Sequence, residues 1–193
     1  MANPKKALPE NIDGLFYVDS SCINCGVSRN YASGLFGDTG EFAFVKKQPV
    51  TADELMAARQ ALLSCPVAAI GTREKTDLGT ARDSFPLQMT DNVFLNGYNH
   101  RKSYGAHSYF IRATFGNWLI DSPRFLPDLV ERFEAMGGIR YIFLTHSDDV
   151  GDAHPVEHDL DRRSGDDGIM DRHLRVRRTE RHARARHLHR RSH

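Results

Sequence analysis

The chain has 193 residues, with 40% hydrophobic and 26% charged residues, which is room for one ordinary domain or two small ones. Its longest apolar runs, such as 67–70 and 141–144, fall far short of the roughly 20 residues of a membrane span; no apolar segment follows Lys5 and Lys6, which predicts no cleaved secretory signal, no membrane association and a cytoplasmic location. The net charge of +1 conceals a split: residues 1–154 carry 15 Lys and Arg against 18 Asp and Glu, whereas residues 155–193 carry 11 Arg against 7 Asp and Glu.

In chain order, residues 1–14, with Pro4, Pro9 and Gly14, read as a polar lead-in. Leu15-Phe16-Tyr17-Val18 predicts a first strand. Residues 19–40 are rich in Ser, Asn and Gly and read as loop. Residues 41–45 predict a second strand. Thr51-Ala52-Asp53-Glu54 forms a capping box, with Thr51 as N-cap and Glu54 three residues on. The helix it starts runs to about Leu63, with Leu55, Ala58 and Leu62 on one face. Pro66 disfavours helix at Cys65 and ends it. Residues 67–70 then predict a short strand closed by Gly71, and residues 72–84 a polar linker.

From Phe85 the pattern changes to strands at 93–95, 108–112 and 118–120, parted by turns at Asn96-Gly97 and Gly116-Asn117. Residues 128–136 predict an amphipathic helix with Leu129, Phe133 and Met136 inward, stopped by Gly137-Gly138. Residues 139–144 are apolar enough for a strand buried on both faces. That strand leads into Thr145-His146-Ser147-Asp148-Asp149. Residues 155–193 hold six of the ten His and no Phe, Tyr, Trp or Lys, so the tail has little to bury and is expected to be disordered. So abrupt a change also fits an out-of-frame continuation beginning near 151–154, or a genuine basic tail for nucleic acid. Its interspersed acidic residues speak against nucleic acid as a partner.

Three cysteines are too few and too odd in number for a disulfide framework, and Cys22-x-x-Cys25 points to metal or redox chemistry. Soft thiolates from one tight loop, joined by a distant one from a helix end, suit iron and sulfide. Cys22, Cys25 and Cys65-Pro66 follow the order strand, loop, strand, capped helix, Cys-Pro, strand. Residues 15–71 thereby resemble a ferredoxin-like domain with a single iron–sulfur cluster. The resemblance implies ligation by Cys22, Cys25 and Cys65. Such domains carry a third loop cysteine at the position of Ser28. Three states stay open: a four-iron cluster with Ser28 or water as fourth ligand, a three-iron cluster, or inert cysteines without a cluster.

Farther on, Gly105-Ala106-His107-Ser108-Tyr109-Phe110-Ile111, then Trp118-Leu119-Ile120-Asp121-Ser122-Pro123, then Ile142-Phe143-Leu144-Thr145-His146 resemble the N-terminal part of a metallo-β-lactamase fold. The run from His146 through Asp148, Asp149 and Asp152 to His154 is similar to that family's variant ligand loop H-x-D-D-V-x-D-H, with His154 one residue late. The resemblance implies zinc or iron at His146, Asp148, Asp149 and His154, and Asp149 as the catalytic residue. It makes Asp121 a structural acid beneath the loop, and leaves His100 and His107 as non-ligands. Imidazole and carboxylates suit either metal, and metal-bound water can supply hydroxide near neutral pH. The resemblance stops by residue 154, before further ligands, so hydrolysis by this chain is expected to be weak or absent.

The expected architecture is α+β: a ferredoxin-like domain over 15–71, an incomplete metallo-β-lactamase-like αββα sandwich over 85–154, and the tail. Three functions follow. The first is a metal-dependent hydrolase with an iron–sulfur module, acting on a small-molecule substrate. The second is a small iron–sulfur electron-transfer protein with a redox partner. The third is a nucleic-acid-binding protein acting through its tail.

Overall fold

Three-residue apolar strands organise the first half of the chain, and each leaves backbone groups for other parts of the molecule to satisfy. The computed structural model describes residues 2–146. Asp148, Asp149, His154 and the tail lie outside the described residues. Strands β1 (Phe16–Val18), β2 (Phe36–Asp38), β3 (Ala43–Val45) and β4 (Ile70–Thr72) form two antiparallel pairs, β1 with β4 and β2 with β3. Asn11 ties the pairs together. Its Nδ2 donates to the carbonyls of Leu8 (2.7 Å) and Val18 (2.8 Å), and its Oδ1 accepts from the amides of Val18 (3.1 Å) and Val45 (3.0 Å). The polar lead-in is therefore part of the fold, and Leu8 joins the core.

Helix α1 (Val27–Ala32) and β2 both arise inside the stretch expected to be loop. Only six residues long, α1 gives no periodic signal, and it gains its stability from packing on the longer helix. That helix, α2 (Ala52–Ser64), begins with the expected capping box and ends at Cys65. Ala58 and Ala61 are fully buried, and the small side chains let α1 approach. Strand β4 begins three residues and ends two residues later than expected, and Gly71 pairs with Tyr17 within it rather than ending it. A Cβ on Gly71 would stand 2.6 Å from the Tyr17 ring, so the pairing depends on glycine here. The polar stretch after Thr72 is not all linker: α3 (Gly79–Asp83) buries Ala81, and Gln60 Nε2 donates to Ser84 Oγ at 3.0 Å.

The second half is one five-stranded sheet of β5 (Leu87–Gln88), β6 (Val93–Leu95), β7 (Tyr109–Ile111), β8 (Trp118–Ile120) and β9 (Tyr141–Phe143), in that order. All pairings are antiparallel except β8 with β9, which is parallel. A parallel neighbour needs a crossover, and α4 (Pro127–Ala135) supplies it. Register puts Phe94, Phe110, Leu119 and Ile142 on one face. Leu129, Val130 and Phe133 of α4 pack against that face, with the Phe133 and Phe110 rings stacked at 5.3 Å. Met136 packs at the margin of the cluster. The opposite face carries Ile111, Trp118, Tyr141 and Phe143, all at least partly exposed among the described residues.

Two expectations fail here. Strand β9 is not buried on both faces: Tyr141 and Ile142 are half-buried and Phe143 is 45% exposed. Among the described residues β9 is the sheet edge, with β8 as its one neighbour. Asn96-Gly97 does not close a tight hairpin but opens a long connection from Leu95 to Tyr109. The Phe85 ring fills the space that a side chain on Gly97 would need, so this glycine serves packing as well as its positive φ of 67°. The described residues comprise a mixed α+β fold with a single sheet over 87–143; a two-sheet sandwich is not seen among them.

Replacing Asn11 by Ala would leave the amides of Val18 and Val45 without their side-chain acceptor, while the carbonyls of Leu8 and Val18 keep the amides of Asn11 and Leu8, and burial makes such losses costly. N11A is expected to lower stability by about 2–4 kcal/mol in chemical denaturation, whereas N3A, which loses only a local cap at an exposed turn, is expected to cost about 1 kcal/mol or less.

Candidate functional site

The short loop between β1 and α1 carries two cysteines, and its backbone geometry decides where they point. Asn24 has a left-handed φ of 49° and Gly26 one of 84°. These two positions turn the chain back on itself, so that Cys22 and Cys25 face the same way as Ser28 in the first turn of α1. Cys65 arrives from the other side as the C-cap of α2. All four line one pocket, whose remaining wall is mostly apolar and includes Val18, Ala43, Val67 and Ile70. Cys65 is 7% exposed and Ser28 7% exposed, while Cys22 and Cys25 are half-buried.

Backbone amides are aimed at two of the sulfurs. Cys22 Sγ accepts from the amides of Asn24 and Ala43, each at 3.4 Å. Cys65 Sγ accepts from Ala69 at 3.2 Å, helped by the left-handed φ of 53° at Ala68. Burial pushes the Cys25 thiol above its ordinary range, and the neighbouring sulfurs of Cys65 and Cys22 push it the same way, against the Val27 amide. Sulfurs that feel one another in an apolar pocket are poor company as bare anions, and cationic iron would relieve the repulsion.

Among the described residues, no three His, Cys, Asp or Glu side chains converge as they would around a single metal ion. Three thiols spread around one pocket, with a buried hydroxyl, suit a polynuclear cluster better than one ion. The donor set thus fits an iron–sulfur cluster in kind, with an oxygen in place of one sulfur.

The connection 96–108 from the second half of the chain reaches this site, which the sequence reading does not anticipate. Tyr104 Oη donates to the carbonyl of Ile23 at 2.8 Å. Gly105, with φ of 83°, lies so close that a Cβ would be 2.9 Å from Cys25 Cβ and 3.0 Å from its Sγ. Asn99 is 1% exposed and holds the loop's shape, its Nδ2 donating to the carbonyls of Gly105 (2.8 Å) and Ala106 (2.9 Å). No local signal marks these contacts, because Ile23 and Tyr104 are 81 residues apart.

His107 completes the seam. Its Nδ1 lies 3.0 Å from Asn99 Nδ2 and its Nε2 lies 2.9 Å from the Asn30 side-chain amide, while its ring meets Tyr31 edge-on at 6.0 Å. The Asn99 amide nitrogen is fixed by the two carbonyls it serves, so Nδ1 must accept. The Asn30 contact is made by its Nδ2, 2.9 Å away, so a protonated Nε2 would face a second amide nitrogen. A protonated ring would bring two N–H groups together at Asn99. Burial also lowers the His107 pKa. His107 thus joins the loop to α1.

His146 is not among the residues that line the cysteine pocket; it follows β9, whose C-terminal end lies at the same end of the sheet as Leu95 and Tyr109. Asp121, 8% exposed and with φ of 54°, accepts from the Thr145 amide at 2.7 Å and the Thr145 hydroxyl at 2.8 Å. That clamp fixes the residue before His146, as expected of a structural acid. Asp148, Asp149 and His154 lie outside the described residues.

Residues 18–72 match the family model of the 4Fe-4S single cluster domain of Ferredoxin I. No curated protein and no solved structure matches the chain. The segment is therefore a ferredoxin-like domain, and the match brackets Cys22, Cys25, Ser28 and Cys65. It ends at Thr72 and does not bear on the resemblance of residues 85–154 to metallo-β-lactamases. No helix of the described residues is long and apolar enough to cross a membrane.

The His107 arrangement gives a pH dependence of definite sign. Its folded pKa lies below the unfolded value of about 6.5, so the unfolded chain binds more protons in that range. Stability is then full above about pH 6.5 and declines as pH falls toward the folded pKa. NMR titration of the His107 ring is expected to give a midpoint below 6.5, and H107Q is expected to remove this part of the acid destabilisation.

Proposed function

We propose that the ferredoxin-like domain binds one iron–sulfur cluster through Cys22, Cys25 and Cys65, with Ser28 at the fourth position, and transfers single electrons to a redox partner. The observation that carries this reading is the common pocket of three cysteines and a buried serine, with amide donors already directed at Cys22 and Cys65. When bound, the cluster supplies one-electron chemistry. The chain's own residues hold it, and the amide hydrogen bonds and the apolar wall set its potential and its access to solvent. A serine oxygen is a harder ligand than a thiolate and holds iron less firmly, so the fourth corner is the weak one.

A second reading concerns His146. Relatives of the metallo-β-lactamase type place a metal ligand just after a strand held by a buried Asp, and the Asp121–Thr145 clamp favours that arrangement here. On this reading, His146, Asp148 and Asp149 take up zinc or iron, His154 is a poor fourth ligand, and Asp149 acts on metal-bound water in hydrolysis of a small molecule. The two readings are compatible, since the sites lie on different elements.

Anaerobic reconstitution with iron and sulfide is expected to give a coloured protein. C22S and C65S are expected to lose the visible absorption, and S28C to keep its cluster at least about tenfold longer against a chelator, the scale of effect seen when a metal site's supporting shell changes. Wild-type protein with no more iron and sulfide than C22S would sink the electron-transfer reading. For the second site, equilibrium dialysis is expected to show zinc retained by the wild type and released by H146A; equal retention would remove His146 as a ligand.

A further inference from the structure

We propose that the loop over residues 98–108, which packs behind Ile23 and Cys25 and does not itself line the cysteine pocket, buttresses the cluster site from outside, so that the second half of the chain helps to retain the cluster. This inference rests on the iron–sulfur reading above. Three independent attachments carry it. Tyr104 reaches the Ile23 carbonyl, which sits between the two loop cysteines. Gly105 lies against the Cys25 side chain and within reach of Pro66, where a Cβ would be 3.2 Å from Pro66 Cγ. His107 binds Asn30 on α1.

The geometry is hard to explain otherwise. The Tyr104 ring is 65% exposed and its backbone has a left-handed φ of 52°, a conformation that residues with a Cβ rarely adopt. Neither feature favours folding, yet together they bring the hydroxyl to Ile23. Gly105 also has a left-handed φ, and only its hydrogen fits against Cys25. The buried Asn99 holds the carbonyls of Gly105 and Ala106 from behind, so the loop presents a fixed surface to the cysteine.

Covering Cys25 matters because solvent exposure and the groups around the sulfurs govern both the potential and the lability of a cluster. The coupling is reciprocal: a loop that steadies Cys25 and Ile23 favours the bound cluster, and a bound cluster steadies the loop.

The test uses the full chain, reconstituted anaerobically with iron and sulfide. Loss of visible absorbance is then followed after addition of EDTA, for wild type, G105V and Y104F. G105V is expected to lose its cluster about tenfold faster or more, the range seen for outer-shell changes at metal sites, and Y104F severalfold faster. Y104F removes one exposed hydroxyl only, so it keeps the proposal testable if G105V fails to fold. Amide hydrogen exchange over residues 98–108 is expected to slow on cluster loading in the wild type. If Y104F loses its cluster at the wild-type rate and exchange over 98–108 is the same with and without the cluster, the loop does not buttress the site, while the cluster reading stands. A wild type that takes up no cluster overturns both.

Discussion

Three sulfurs and a serine hydroxyl face one apolar pocket, and the constraint they impose shapes much of the ferredoxin-like domain. Burying groups that become anionic is unfavourable unless hydrogen bonds or cations meet them. The chain answers first with its backbone. Left-handed turns at Asn24, Gly26 and Ala68 expose amides to the pocket, and Asn24, Ala43 and Ala69 aim theirs at sulfur. Asn11 then takes over the hydrogen bonding that so short a pair of sheets leaves undone.

The same economy explains the seam between the two halves. A domain of this size has little core of its own, and Tyr31 packs into both hydrophobic clusters, meeting Phe85 edge-on at 6.0 Å. Its phenol is pushed up to about 12 by burial, so it stays neutral there. Arg124, which lies over the Tyr98 ring, donates to the Leu63 carbonyl at 2.6 Å, adding a charge-assisted bond across the seam. Arg132 on α4 donates to the carbonyls of Arg82 and Phe85 and pairs with Asp83 at 2.7 Å, which fastens α3 to the second half. Aromatic packing and guanidinium–carbonyl bonds together make the stretch after Thr72 a structural joint.

The sheet in the second half is asymmetric. One face is covered by α4 through the Phe110–Phe133 stack. On the other, Trp118 and Tyr141 lie 4.6 Å apart, half-buried by each other and their neighbours. Parallel pairing at β8–β9 places Asp121 and Thr145 at the same end of adjacent strands, where the carboxylate can bridge to the next chain segment.

The sequence by itself determined the long helix and the cysteine constellation. Thr51 and Glu54 cap α2 as their spacing requires, and Pro66 ends it so that Cys65 falls at its C-cap. Cys22, Cys25, Ser28 and Cys65 were legible as one constellation because the domain's element order is local and compact. The amphipathic pattern of α4 and the strands at 93–95, 109–111 and 118–120 were likewise readable, since each has its own periodicity. Tertiary structure alone decided the rest. Helix α1 is too short to announce itself and exists by packing on α2. Exposure of β9 depends on its place at the sheet edge among the described residues, which composition does not encode. The reach of Tyr104 and Gly105 to the cysteine loop, and of His107 to α1, joins residues some eighty positions apart. No local pattern specifies such a contact; it follows only when two cores are docked and left-handed turns point a loop across the seam.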